Sequence, residues 1–129
     1  MKSVLLADDD IDDREMFEEI LADNQEVLLA GSVENGQELL SFLVNLDPKS
    51  LPDLIVLDHN MPKLNGIQTL QALKQNETYR HIPIVIFSTY CDNKLISEGT
   101  RLGASMVFTK PSSFSEYENM ITAFINIIS

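Results

Sequence analysis

The sequence contains no tryptophan and a single cysteine, Cys91. One cysteine excludes an internal disulfide, and no group of cysteines and histidines has the spacing of a zinc site. Basic residues are also scarce, because nine lysines and arginines stand against twenty aspartates and glutamates, which gives a net charge of −11. A field of that sign repels phosphate backbones, so we expect no direct binding to nucleic acid.

Long apolar runs are missing as well. No stretch approaches the length of a membrane-spanning helix, and the apolar run at residues 4–7 is too short for a signal peptide. We therefore expect no membrane insertion and a cytoplasmic protein. The 129 residues, of which 44% are hydrophobic and 22% charged, have an ordinary globular composition. The length predicts one domain over residues 1–129.

Short apolar runs alternate with amphipathic helical patterns along the chain. The runs cover residues 3–8, 27–32, 53–57, 83–88 and 105–109. Between and after them, apolar residues recur at three- and four-residue spacing, most clearly in the stripe that begins at Phe114 and ends at Ile128. Apolar strands separated by one-sided helices are typical of a parallel sheet covered on both faces. The sequence therefore predicts an α/β fold with a doubly wound, five-stranded parallel sheet.

Glycine and proline mark the expected boundaries of these elements. Gly36 and Gly66 are placed in the turns before the second and third helices, and Gly103 is expected to end the fourth helix in a left-handed conformation. Pro83 is expected to open the fourth strand, where a missing N–H costs least.

Polar residues stand where the predicted strands end. Ligands bind beyond the carboxyl ends of the strands in such a sheet, and these ends carry Asp8 and Asp9, Asp58, Ser88 and Lys110. Two carboxylates about 4 Å apart repel by about 4 kcal/mol at an effective dielectric near 20, so positive charge is expected among them. Lys110 supplies one charge, and a hard divalent cation such as Mg²⁺ would supply two.

Each of these residues also has a purely structural interpretation. The acids of the segment "DDDIDD" can cap a helix and complement its dipole. Asp58 can form an Asx turn, Ser88 and Thr89 can satisfy nearby backbone groups, and Lys110 can be a solvated residue before a helix. An EF-hand is excluded, because Asp13 occupies the sixth loop position, where the sharp turn needs glycine.

Four segments appear in the order and spacing of a known family: "VLLADDD", "PDLIVLDHNMPKLNG", "IPIVIFST" and "GASMVFTKP". Through them, essentially the whole chain resembles the receiver domains of response regulators, of the CheY-like, flavodoxin-type fold. Its third helix and fourth strand resemble those of stand-alone receivers. The resemblance implies the strand order 2-1-3-4-5 and a part in two-component phosphorelay signalling.

The resemblance also implies roles for individual residues. Asp58 would be the phosphoacceptor, which receives a phosphoryl group from a sensor histidine kinase or a phosphotransfer protein. Lys110 and Ser88 would contact phosphoryl oxygens, and the peptide bond between Lys110 and Pro111 is expected to be cis. Mg²⁺, or Mn²⁺ in its place, would be held by Asp8, Asp9, Asp58 and the backbone carbonyl of Asn60.

The sequence departs from the family pattern near the fifth strand. The family usually has Tyr or Phe three residues before the lysine, but Val107 stands there and Phe108 follows it. Because side chains alternate along a strand, the two should face opposite sides of the sheet, and Phe108 is predicted to belong to the core. Tyr90 is placed at the mouth of the site, either as an ordinary exposed residue or, with Thr89, as part of the switch.

Three classes of function follow from these residues. The favoured class is a phosphorylation switch that catalyses its own aspartyl phosphorylation and dephosphorylation, and signals to an unknown protein target as a monomer or weak dimer. A phosphohydrolase of the haloacid-dehalogenase type would need an aspartate where Asn60 stands. A degenerate receiver would bind partners without phosphorylation, which the retained acids and Lys110 argue against.

Overall fold

The computed structural model describes residues 1–129 and contains five strands and five α-helices in strict alternation. The strands are β1 (Lys2–Ala7), β2 (Val27–Val33), β3 (Leu54–Asp58), β4 (Ile84–Ser88) and β5 (Met106–Thr109). The helices are α1 (Ile11–Ala22), α2 (Gly36–Val44), α3 (Gly66–Lys74), α4 (Asn93–Arg101) and α5 (Phe114–Ile128), with a short 3-10 helix at Pro48–Ser50. None of the helices combines the length and apolarity needed to cross a membrane.

The strands form one parallel sheet in the order β2-β1-β3-β4-β5, which confirms the predicted fold and strand order. Strands β3 and β4 are buried along their whole length, because helices cover both faces of the sheet. Alternate strand residues face the two sides, so Ile55 and Leu57 pack with α2, α3 and α4, whereas Leu54 and Val56 pack with α1 and α5. The sheet therefore separates two apolar cores.

The helix boundaries correct one prediction and confirm another. Gly36 and Gly66 are the first residues of α2 and α3 rather than parts of the preceding turns. Close packing explains the glycines, because a Cβ at Gly66 would lie 2.8 Å from Cα of His59 and a Cβ at Gly36 would overlap Oγ1 of Thr69. Gly103 follows α4 with φ +104°, as predicted for a left-handed helix end.

The buried part of α5 is shorter than its apolar stripe. Tyr117, Ile121 and Phe124 are buried against the sheet, but Phe114 is 60% exposed. Phe114 is the first residue of the helix, one turn before the segment that packs on the core. Phe114 therefore shares the face of Ile121 and Ile125, with which it lines a groove, but lies outside the core.

Candidate functional site

The carboxyl ends of the strands bring the predicted polar residues to one edge of the sheet. Asp8 directly follows β1, Asp58 ends β3 and Ser88 ends β4, and all three side chains are buried. Lys110 directly follows β5 and is 11% exposed. The parallel sheet is the cause of this gathering, because it aligns the ends of strands that are about fifty residues apart in the chain.

Lys110 is the only cation in contact with these carboxylates. Its Nζ lies 3.1 Å from Oδ2 of Asp8, 3.2 Å from Oδ2 of Asp58 and 2.8 Å from Oδ2 of Asp13. The ammonium also lies 5.2 Å from the centre of the Phe87 ring, within the range of a cation–π contact. One ammonium group therefore contacts three carboxyl groups.

The peptide bond between Lys110 and Pro111 is trans, so the expectation of a cis bond is wrong for this structure. The trans isomer is the lower-energy form even before proline. It already directs the ammonium to Asp8 and Asp58 within ion-pair distance, so the inward position of the lysine does not require the cis isomer.

Burial raises the pKa of both central acids. Burial, followed by the charge of Asp8, raises the pKa of Asp58 from an ordinary value of 3.8 to about 7, although Lys110 opposes the rise. Burial likewise raises the pKa of Asp8. For Lys110, burial by itself would lower the pKa, but the surrounding carboxylates of Asp13, Asp8 and Asp58 outweigh it and raise the pKa. The lysine is therefore a permanent cation, and Asp58 exchanges its proton near neutral pH.

The donor set fits a hard divalent cation. Carboxylate oxygens of Asp8, Asp9 and Asp58 all lie within 4.8 Å of one another. Oδ2 of Asp8 is buried and accepts no hydrogen bond, although it lies in ion-pair contact with Lys110. A buried carboxylate oxygen without a hydrogen-bond donor is costly, and a cation bound there would remove that cost. Asp9 is exposed, which leaves the group open to solvent on one side.

The structural interpretations of these residues hold as well. Oδ1 of Asp58 accepts the N–H of Asn60 at 3.1 Å in an Asx turn, and Oδ1 of Asp8 accepts the N–H of Asp10 at 2.9 Å. Asp10 caps α1, because its side chain accepts the N–H groups of Asp12 and Asp13. These local hydrogen bonds orient the acids, so capping and site formation are compatible.

Ser88 does not face an empty space but takes part in a network between two loops. Its hydroxyl donates to the carbonyl of Tyr90 at 2.9 Å and accepts from Nδ2 of Asn60 at 3.0 Å. The N–H of Tyr90 lies 3.3 Å from the same hydroxyl oxygen. A serine that turned toward a group on Asp58 would have to give up its hydrogen bond to Tyr90, so the loop after β4 is coupled to the site.

The residues around β5 lie where the alternation rule placed them. Val107 packs on the core beneath α2, α3 and α4, and Phe108 packs on the opposite core, with ring centres 5.7 Å from Phe87 and 6.2 Å from Phe124. Phe108 is half-buried because β5 is an edge strand. Tyr90 is 78% exposed, in agreement with its predicted place at the mouth of the site.

Two further predicted residues lie at the rim. Thr89 is exposed and Pro111 is half-buried, and both line a cleft of about 500 Å³ beside Lys110. The position of the Asn60 carbonyl relative to the acids stays a prediction.

Two residues of α1 belong to the site although sequence analysis did not single them out. Asp13 makes the shortest contact of Lys110, and Arg14 donates from Nη1 to the backbone carbonyl of Asp8 at 2.7 Å. Their only signal in the sequence was a place in the first turn of a helix. Nothing in that local pattern indicates a contact with Lys110, which lies ninety-seven residues away from Asp13.

Comparisons with known proteins agree with this geometry. Residues 4–122 match the family described as the response regulator receiver domain. The chain is 31% identical over 120 residues to a protein-glutamate methylesterase/protein-glutamine glutaminase of Trichodesmium erythraeum, which covers 92% of this chain and 32% of the relative. Relatives of this kind are longer proteins, because the chain spans about a third to a half of the curated relatives it first matches.

Two solved structures of response regulators, one phosphorylated and one bound to Mn²⁺, share the fold. The phosphorylated cyanobacterial phytochrome response regulator RcpA superposes with a TM-score of 0.85 at 27% identity, covering 98% of this chain and 93% of that one. The Mn²⁺-bound form of response regulator Rcp1 superposes with a TM-score of 0.80 at 26% identity, covering 96% and 91%. With the family match and the strand-end acids, these likenesses show that the chain belongs to the response regulator receiver domains of two-component signalling.

Proposed function

We propose that residues 1–129 act as one receiver domain in the cytoplasm, and that Asp58 accepts a phosphoryl group in a Mg²⁺-dependent reaction. The donor is a phosphohistidine of a sensor histidine kinase or a phosphotransfer protein. The phosphorylated form differs in its affinity for a downstream protein. The observation that carries the proposal is the buried carboxylate of Asp58 in contact with Lys110 and grouped with Asp8 and Asp9.

The arrangement supports the chemistry of phosphoryl acceptance. A carboxylate oxygen of Asp58 forms the new O–P bond, the P–N bond of the donor breaks, and the imidazole nitrogen leaves with the bonding electron pair. Such transfers depend on positioning and charge neutralisation more than on covalent assistance. Asp58 is fixed by the end of a buried strand and by the N–H of Asn60, and the ammonium of Lys110 lies 3.2 Å from its Oδ2, close enough to neutralise a phosphoryl oxygen formed there.

The metal ligands in this proposal are Asp8, Asp9, Asp58 and the backbone carbonyl of Asn60. Mg²⁺, or Mn²⁺, would supply charge neutralisation to the phosphoryl oxygens when bound. The buried Oδ2 of Asp8, which accepts no hydrogen bond, supports a cation at this place, as does the Mn²⁺-bound state of Rcp1. Since the pKa of Asp58 is raised to about 7, the acid is only partly ionised at neutral pH, and the ionised form is the nucleophile.

Ser88 supplies the link to partner binding in this proposal. Its hydroxyl can reach a phosphoryl oxygen only by leaving the carbonyl of Tyr90, to which it donates in the present structure. The segment at residues 89–94, which runs from the loop after β4 into the first residues of α4, then loses that restraint. The downstream partner is proposed to bind the surface formed by α4, β5 and α5, the elements that come after that loop in the chain.

The test is phosphorylation by acetyl phosphate with and without Mg²⁺, followed by intact-mass spectrometry. We expect one added phosphoryl group on the parent protein with Mg²⁺ and none on Asp58→Asn. Asp12→Asn is the matched control, because Asp12 is exposed and belongs to the same acidic segment without contacting Lys110. Equal phosphorylation of the Asp58→Asn variant would refute the proposal. A parent protein that captures neither phosphate nor beryllofluoride would favour the degenerate receiver.

A further inference from the structure

Asp13 holds Lys110 more closely than either buried acid does. The distance from Nζ to Oδ2 of Asp13 is 2.8 Å, against 3.1 Å to Asp8 and 3.2 Å to Asp58. Asp13 is 31% exposed, whereas the other two carboxylates are almost completely buried. It is therefore the partner on the solvent side of the lysine, and it belongs to neither the metal ligands nor the phosphoacceptor assigned above.

Apart from Lys110 itself, every charged side chain that lines the cleft in front of Lys110 is acidic. Asp13 and Lys110 line a space of about 500 Å³ that has no hydrophobic residue in its wall. Asp10 and Glu116 line it too, so three carboxylates surround one cation. An anionic group that enters this cleft therefore meets repulsion from the acids and finds Lys110 already paired.

The three protons of the Lys110 ammonium are all committed. Nζ donates to Asp8, Asp13 and Asp58 in the present structure, and an ammonium has three donors. A phosphoryl oxygen must therefore replace one of these carboxylates. In the proposed reaction Asp58 becomes the phosphorylated residue and Asp8 becomes a metal ligand. Asp13 alone keeps a free carboxylate beside the lysine.

From this geometry we infer that Asp13 competes with the phosphoryl group on Asp58 for Lys110, and so acts as a positioning residue that weakens the phosphorylated state. The inference rests on the proposed function, because it concerns the same lysine in the same reaction. Asp13 touches neither the acceptor nor the reacting atoms, and its effect passes through Lys110. Removal of its charge should therefore strengthen phosphoryl binding.

The first measurement is the apparent affinity for beryllofluoride, a mimic of the phosphoryl group, at saturating Mg²⁺. Amide NMR measures this affinity for the parent protein, for Asp13→Asn and for Asp12→Asn. Since partly exposed ion pairs have modest strength, we expect Asp13→Asn to bind about threefold to fivefold more tightly. The control Asp12→Asn removes the same charge one residue away and should differ from the parent by less than about twofold.

The second measurement separates action through Lys110 from general repulsion. Asp13→Asn is combined with Lys110→Gln, and the same affinities are measured. If Asp13 acts through the lysine, its replacement has no effect in the Lys110→Gln background. A gain of the same size in both backgrounds would overturn the inference, because direct repulsion or a structural change does not require the lysine. The initial rate of phosphorylation by acetyl phosphate gives the same comparison for variants that bind beryllofluoride weakly.

The outcomes distinguish this inference from the proposed function. A parent protein that fails to capture beryllofluoride with Mg²⁺ overturns the proposed function, and the inference with it. A parent that captures beryllofluoride, beside an Asp13→Asn variant of equal or weaker affinity, overturns the inference alone.

Discussion

Replacing Asp58 with asparagine should stabilise the metal-free protein above neutral pH. The carboxyl group is 1% exposed and lies near Asp8, so its ionised form is unfavourable in the fold. Asparagine has nearly the same shape, keeps an oxygen for the N–H of Asn60 and carries no charge. Lys110 keeps two of its three carboxylates, Asp8 and Asp13, in the variant.

The size of the effect follows from proton linkage. The folded state raises the pKa of Asp58 from 3.8 to about 7, so the folded parent binds the proton more tightly than the unfolded chain does. The contribution of the protonated Asp58 to the free energy of unfolding is therefore complete below about pH 4. Between about pH 4 and about pH 7 the parent loses about 1.4 kcal/mol of stability per pH unit, and the contribution is gone above about pH 7. The whole window, from about pH 4 to about pH 7, corresponds to about 4 kcal/mol, and the attraction of Lys110 is already included in that figure.

Chemical denaturation at a series of pH values, without divalent cations, measures this difference directly. The free energy of unfolding of Asp58→Asn should exceed that of the parent at pH 8, and the gap should narrow steadily toward pH 5. In thermal unfolding, a gap of 1 kcal/mol corresponds to about 4 °C for a domain of this size. Asp12→Asn should follow the pH dependence of the parent, because Asp12 is exposed.

Two results would contradict this reasoning. A gap that stays constant from pH 5 to pH 8 would mean that Asp58 does not titrate differently in the folded and unfolded states. A variant less stable than the parent at pH 8 would mean that the contact with Lys110 outweighs the burial of the charge.

The remaining predictions concern the metal and the switch. Mg²⁺ at a hundredfold excess over its dissociation constant should raise the free energy of unfolding of the parent by about 2.7 kcal/mol. Asp9→Ala should lose most of that gain in a thermal-shift assay. A melting temperature of the parent protein that does not change with Mg²⁺ would exclude the metal site. Beryllofluoride should shift the amide NMR signals of residues 88–94 strongly and those of β5 weakly, since Val107 has no ring to reorient. Shifts of equal size in both segments would make β5 part of the switch.

The pattern of apolar runs was sufficient to predict the fold and most of the site's members. Parallel strands align their carboxyl ends, so Asp8, Asp58, Ser88 and Lys110 had to share one edge once the strands were identified. Alternation along a strand likewise placed Val107 and Phe108 on opposite cores. These features depend on the period of the backbone, which a sequence displays directly.

Contacts between separate elements could not be predicted in this way. The ion pair between Asp13 and Lys110 requires the first turn of α1 to lie within reach of the Lys110 side chain. The hydroxyl of Ser88 could have faced Asp58 or the loop after β4, and the structure directs it to the carbonyl of Tyr90. The exposure of Phe114 depends on where the first turn of α5 ends relative to the core.

The sequence by itself therefore determined which residues reach the carboxyl edge of the sheet and which face each side chain takes. Only the tertiary structure decided how those side chains pair, since one ammonium among several carboxylates has several possible partners. The physical reason is that periodicity fixes direction within an element, whereas pairing depends on distances between elements that are set by packing. Asp13 shows the difference, because its helix position was readable and its partner was not.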